Sequence, residues 1–421
     1  MIKKRILFIL ITMFIIYNSN YAQAWNQINT DGFGDVNNKE IESVVEYNTL
    51  VYVATENDVT GTEIWQYNGT VWTQVNSDGF GNSDNITSGL FVYNSHLYVG
   101  TENCNTGAEI WRYDGGTSWT QVNTNGFGDS FNDGLEFTVY NNLLYVVTEN
   151  FNTGPEVWRY DGGSNWTQVN TDGFGDSHNG ESDETAEYKN FFYVVTNNNV
   201  TGIQVWQYNG STWTQVISDG FGDANNTSCG LVIVYNNFLY VTTENKVTGT
   251  EVWQYDGSEW TQVNSDGFGD ANNIACYETA IYNGSLYMGT AQGTEASDTG
   301  AEVWRYDGGT SWTQVNTDGF GDANNSGADS IAIHNNLLYM GAENEATGAE
   351  LWQYNGSTWN RIDPGAPGPG NGGFGDGGNN AEIEIYVYNF FYTTVNAEVW
   401  QYSAPMDRKA MPWIPLLLLD D

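Results

Sequence analysis

The chain has 421 residues, with 52 aspartates and glutamates against 12 lysines and arginines, and a formal charge of −40. A surface this acidic repels polyanions, which excludes nucleic acid and anionic membranes as partners, and it concentrates cations. Three cysteines are too few, and odd in number, for a disulfide framework.

In chain order, Lys3, Lys4 and Arg5 precede an apolar run from Ile6 to Ile16, and Ala22-Gln23-Ala24 supplies small residues for a signal peptidase. Residues 1–24 therefore read as a secretory signal peptide. The apolar run is shorter than the roughly 20 residues that span a bilayer, so a retained anchor is the lesser reading. Removing the leader would move the charge from −40 to −43 and place the protein outside the cell, secreted or at the surface.

From Trp25 onward the chain repeats itself. Eight units open at Trp25, Trp72, Trp119, Trp166, Trp213, Trp260, Trp312 and Trp359, spaced by 47 residues except for one interval of 52. A fixed period of this length marks a repeat architecture. Unit six carries extra residues around positions 292–298, and unit eight inserts 364–372 and shortens its later hairpin at 393–398.

Unit three serves as the pattern. Positions 119–123 alternate as a strand, and the GFGD motif breaks it with two glycines. A second strand at 135–140 and a tight turn at Asn141-Asn142 lead into a third at 143–148. That strand is apolar on both faces and hence buried on both. After the loop ENFNTG a fourth strand runs through 156–160, and Asp161-Gly162-Gly163 turns into the next Trp. No segment of the repeats has helical periodicity.

These features predict an all-β fold over 25–402, an eight-bladed β-propeller of four-stranded antiparallel blades. The phase of the repeat closes the ring: the N-terminal strand Trp25 to Asn29 completes the last blade beside Glu398 to Tyr402, removing exposed edges. Residues 403–421 form a C-terminal tail whose apolar run is too short to span a membrane. Cys229 and Cys276, at equivalent places in neighbouring units, read as small buried residues rather than a bridge.

The run LLYVVTEN followed by EVWRYDGGSNW resembles a kelch repeat, where a hydrophobic strand, a Tyr before a turn and a Trp opening the outer strand recur in that order. The resemblance implies a β-propeller. In place of the kelch Gly-Gly pair stand Gly100-Thr101, Val147-Thr148 and Gly289-Thr290. The turn from Asp114 to Trp119, repeated from Asp307 to Trp312, resembles the later part of the sialidase Asp-box, with Arg112 or Arg305 in place of its leading Ser. Thr248-Gly249 to Trp253 is similar to the tryptophan-docking repeat of eight-bladed quinoprotein dehydrogenases, but the register of the strands favours the kelch-like reading.

The GFGD and TEN loops should emerge at one end of the ring, and both are acidic. The first contributes Asp31, Asp35, Asp172, Asp176, Asp219, Asp223, Asp266, Asp270, Asp318 and Asp322. The second contributes Glu56, Glu63, Glu102, Glu109, Glu149, Glu156, Glu244, Glu251, Glu343 and Glu350. Two readings stand. Carboxylates, amides and carbonyls together offer the oxygen set that calcium takes, and Asp beside Gly equally serves as a turn cap. Unit four replaces both glutamates at once, with Asn197 and Gln204, which suggests that the pair faces one shared object. The Phe of each GFGD, from Phe33 to Phe374, reads as a wedge between blades.

Catalytic constellations are scarce. His96, His178 and His334 are non-equivalent and lack nucleophile or zinc spacing. Arg112, Arg159 and Arg305 recur at one strand position instead of forming a sialidase-type cluster, and strand tryptophans such as Trp158 and Trp206 read as core. The leading expectation is a secreted, monomeric, non-catalytic binding or adhesion module with several similar sites for carbohydrate or an extracellular protein. Two alternatives are an extracellular enzyme acting on a polysaccharide at the irregular units six and eight, and a structural cell-surface protein.

Overall fold

A computed structural model describes residues 24–182, 184–292, 299–344, 346–363, 384–386, 391–394 and 397–403. The expected signal peptide up to position 23, most of the unit-six and unit-eight insertions, Phe374 and the tail beyond Ser403 lie outside the described residues.

The first strands are β1 (Ala24–Gln27), β2 (Glu40–Tyr47), β3 (Leu50–Glu56), β4 (Ile64–Tyr67) and β5 (Trp72–Gln74). Strands β2 to β5 form an antiparallel meander. Its first hairpin turns at Asn48 and Thr49, both left-handed at φ 51° and 67°. That geometry matches the twist of the flanking strands and explains the Asn-rich pairs here, including the Asn141-Asn142 turn read from the sequence. Strand β3 is buried from Val51 to Thr55, as an apolar strand between two sheets must be. Because β5 opens with Trp72, each sheet takes three strands from one unit and its outer strand from the next.

Among the described residues this pattern recurs as six four-stranded sheets and one eight-stranded sheet, in which two such meanders join through the pair Ala291 and Gly327. In the last sheet β1 pairs with Glu398–Ser403, which is followed inward by Phe391–Thr394 and Glu384–Tyr386. The first strands of successive sheets lie against one another, and β2 also touches Phe391–Thr394. Repeated four-stranded antiparallel sheets gathered in this way make an all-β, β-propeller fold.

The sheets pack through apolar faces. Tyr52, Ala54, Ile64 and Val75 of the first sheet meet Leu90, Leu97, Val99 and Tyr113 of the second. Fully buried residues such as Ile64 and Leu97 each contribute about 1.5–3 kcal/mol. Polar staples repeat along the same joints. The Tyr47 hydroxyl donates to the Ser95 carbonyl at 3.0 Å, and Tyr93, Tyr140, Tyr188, Tyr235 and Tyr282 do the same one sheet further on. Trp72 Nε1 likewise donates to the Ile28 carbonyl at 3.1 Å.

Each described GFGD forms a tight turn whose central residues are left-handed: Gly32 has φ 57° and Phe33 φ 56°. A phenylalanine there costs about 1–2 kcal/mol. The ring offsets that cost by stacking on Trp65 of the following sheet at 4.8 Å and meeting Trp72 edge-on at 5.1 Å. Phe80, Phe127, Phe174, Phe221, Phe268 and Phe320 repeat the stack. The wedge role of these rings agrees with the sequence reading, and Trp158 and Trp206, read as core, are half-buried and stack on Phe127 and Phe174.

Candidate functional site

The GFGD and TEN loops meet at one end of the sheets, and an asparagine joins them. Asn38 Nδ2 donates to the Gly32 carbonyl at 2.8 Å and to Glu63 Oε2 at 2.9 Å. Its Oδ1 accepts from Thr55 Oγ1 and Asn57 Nδ2. Asn57 in turn ties down its own turn through Val59 N and Thr60 N. Asn85, Asn132, Asn179, Asn226, Asn273 and Asn325 recur at the Asn38 position, each fully buried. The sequence reading singled out the acidic residues and the amides Asn197 and Gln204 and missed this asparagine, although its constant place three residues after GFGD was visible.

The turn at Gly61 rests directly on Gly79 of the linker to the next sheet: a Cβ on Gly61 would lie 2.5 Å from the Gly79 Cα. The pairs Gly107 with Gly126, Gly154 with Gly173, Gly202 with Gly220, Gly249 with Gly267 and Gly300 with Gly319 repeat this contact. Only glycine lets two backbones approach so closely.

The acidic residues then divide into distinct roles. Asp31, Asp172, Asp219, Asp266 and Asp318 each accept from the glutamine four residues earlier. Asp35, Asp129, Asp176, Asp223, Asp270 and Asp322 each accept from the backbone N–H two residues on. Only the second is a turn-capping bond; the first joins two side chains between the strand and the turn. Glu63, Glu109, Glu156, Glu251 and Glu350 are buried, and each Oε2 accepts from the hub asparagine and from a Trp Nε1. Glu302 belongs to the same set, which the sequence reading did not include. Burial raises the carboxyls of Glu63, Glu156, Glu251 and Glu302 above the ordinary range.

One expectation is corrected here. Glu56 and Glu63 do not face a shared object. The Thr55 N–H bonds the Glu63 carbonyl, so these two residues oppose each other, and Glu56, one step along β3, projects from the other face of the sheet. In unit four the two amides accordingly do separate things. Gln204 Oε1 takes the donors that Glu63 takes, Asn179 at 3.0 Å and Trp206 Nε1 at 3.2 Å. Asn197 instead donates to Glu181 Oε1 at 2.9 Å and accepts from Cys229 N at 2.8 Å.

The glutamates of the Glu56 class are half-buried at the loop end. Glu56 pairs with Lys39 at 3.4 Å and Glu244 with Lys246 at 2.7 Å, while Glu343 accepts from Ser326 Oγ at 3.3 Å. The Glu149 carboxyl lies over Gly134. Among the described residues one carboxylate group has the spacing of a cation site: oxygens of Glu40, Glu42 and Glu56 lie within 4.8 Å of one another. Burial, with the Glu56 charge beside it, pushes Glu42 up to about 7.

Among the described residues two pockets open between successive loops at this end. One, of about 180 Å³, is lined by Asp58, Ser83, Asp84, Glu102 and Asn105. The other, of about 240 Å³, is lined by Phe151, Ser177, His178, Glu181, Asn197 and Ser228. They occupy the same place in the repeat, two units apart: Ser83 corresponds to Ser177, Asp84 to His178 and Glu102 to Asn197. His178 is an exposed partner of Asp176 at 2.9 Å. Arg112, Arg159 and Arg305 stay apart, each pairing with the Asp two residues on, at 2.8 Å. Cys104, Cys229 and Cys276 form no disulfide; Cys276 is buried, Cys229 half-buried and Cys104 exposed.

No protein-family model matches the chain, and no curated protein matches it. Among solved structures it is similar to a prolyl endopeptidase from work on inter-domain dynamics in two such enzymes, with a TM-score of 0.52 and 10% identity. That match covers 77% of this chain, which spans 50% of the endopeptidase. It is also similar to SapL1 lectin in complex with alpha methyl fucoside, with a TM-score of 0.40 and 14% identity over 68% of this chain and 98% of that one. The first likeness bears on the fold alone.

Proposed function

We propose that this chain is a secreted, non-catalytic, multivalent carbohydrate-binding module on a closed, eight-bladed, kelch-like ring. Eight Trp-led units and the pairing of β1 with Glu398–Ser403 support eight blades and closure. The leader read from residues 1–24 supports export.

The observation that carries the binding reading is the pair of pockets at equivalent loop positions. Both are smaller than the roughly 300–1,000 Å³ of drug-sized sites, which suits a single sugar ring over a longer ligand. Their walls mix carboxylate, amide and hydroxyl groups, the donors and acceptors that sugar hydroxyls use. Similar weak sites around one body gain strength together: linked sites raise avidity by about 10² to 10⁴ on a polymer or cell surface.

A glycan array probed with the secreted chain, followed by calorimetric titration of a hit, tests this reading. Binding with more than one site per chain is the expected result. Absence of any glycan binding, or turnover of the glycan, would overturn it.

A further inference from the structure

Three departures from the repeat meet in the larger pocket, although they come from two different units. At the position after the TEN asparagine, Asp58, Cys104, Asn199 and Lys246 stand in other units, and Phe151 alone is aromatic among these described residues. At the position after the hub asparagine, other units carry Lys39, Ile86, Asp133, Thr227, Ile274 and Ser326, and unit four alone has glycine, Gly180. At the Glu56 position unit four alone among the TEN loops has an amide, Asn197.

The first two are sterically matched. A Cβ on residue 180 would lie 2.6 Å from Phe151 Cδ1, so the ring lies over backbone that only glycine leaves bare. Phe151 is nevertheless 67% exposed, with its free face toward solvent at the pocket wall. Asn197 is held from both sides, by Glu181 and by Cys229 N, which fixes its carboxamide before any ligand arrives.

We infer that this pocket is a neutral hexopyranose site, with Phe151 as the platform for the C–H face of the sugar and Asn197, Glu181 and the Ser177 and Ser228 hydroxyls for its hydroxyl groups. The inference rests on the carbohydrate reading above and narrows it to one site. Charge decides between a sugar and a cationic side chain. The equivalent pocket carries three carboxylates, Asp58, Asp84 and Glu102, where this one carries Glu181 alone, and fewer negative charges weaken a cation site. An amide that both donates and accepts suits hydroxyls, which do the same. Glu181 keeps one oxygen for a hydroxyl donor while the other is occupied by Asn197.

The test is saturation-transfer NMR and calorimetry on the whole secreted chain with a panel of methyl hexopyranosides. Phe151→Ala and Asn197→Glu should each weaken the best ligand about tenfold or more, a change of about 1.4 kcal/mol. Phe131→Ala, at another exposed aromatic of the same unit but outside the pocket, should leave affinity unchanged. Phe151 is a surface side chain, so its alanine variant is expected to fold, and a matching melt verifies that. Sugar binding that survives both variants overturns this site while leaving the general function standing. If no hexopyranoside binds, both readings fall. Lysine or arginine methyl ester binding that Asn197→Glu strengthens would replace the sugar by a cationic ligand.

Discussion

At Gln204 an amide oxygen receives the two donors that a carboxylate oxygen receives at Glu63, so the position demands an acceptor and tolerates the absence of charge. Glu63→Gln should therefore change stability by less than about 1 kcal/mol, whereas Glu63→Leu leaves Trp65 Nε1 and one amide proton of Asn38 without an acceptor and should cost about 2–4 kcal/mol. Urea unfolding measures both, and equal losses would mean that the charge matters after all. The close backbone contacts permit a second comparison. Gly154 has φ 95° and a Cβ there would lie 2.2 Å from Gly173 Cα, while Gly175 has φ 97° with nothing within 4 Å. Gly175→Ala should cost about 1–2 kcal/mol for its backbone alone, and Gly154→Ala about 2–5 kcal/mol because the two turns must separate as well. Similar losses in the two variants would refute a role for the contact.

Strand β1 shows how one short element holds two distant parts of the chain. Beyond its ladder with Glu398–Ser403, Ile28 N donates to the Val399 carbonyl, Asn29 Nδ2 to the Ala397 carbonyl, and Val399 N to Asn29 Oδ1. Deleting residues 24–29 should cost about 3–5 kcal/mol at roughly 1 kcal/mol per lost bond, with a clear drop in melting temperature; an unchanged melt would argue against this pairing in solution. The strand was legible in advance because WNQIN matches the later WTQVN segments, and the hairpins because Asn-Asn pairs announce left-handed turns. The loop chemistry was less legible. That Glu56 and Glu63 leave opposite faces follows only once the register of β3 and β4 is fixed. The meeting of Phe151 with Gly180 depends on which loops are neighbours in space, and no periodicity in one unit reports that.

For the molecule as a whole, the titrating groups pull in two directions. Glu42, Glu63, Glu156, Glu251 and Glu302 are raised by burial. A raised carboxyl holds its proton longer folded than unfolded, so its contribution is complete below the ordinary value of 4.5 and is lost as pH rises through the folded value, about 7 for Glu42. Asp114, Asp161 and Asp307 are lowered, first by a threonine hydroxyl and then by their arginine, and they favour the folded state only above the ordinary 3.8. The melting temperature should therefore peak at about pH 4 to 4.5 and decline toward pH 8, and Glu42→Gln should flatten the upper part of that decline. A melt that rises steadily from pH 5 to 8 would contradict this balance.

The glycine-on-glycine seats have an implication for where the polypeptide tolerates scission. A break at Gly107, seated on Gly126, severs a clamp between a sheet and the segment leading to its neighbour. A break at Gly116, in the exposed hairpin between Ile110–Gly115 and Ser118–Gln121, touches no such seat. Limited nicking, permuted termini or a grafted peptide belong at that outer rim, where the loop-end pockets would not register the change.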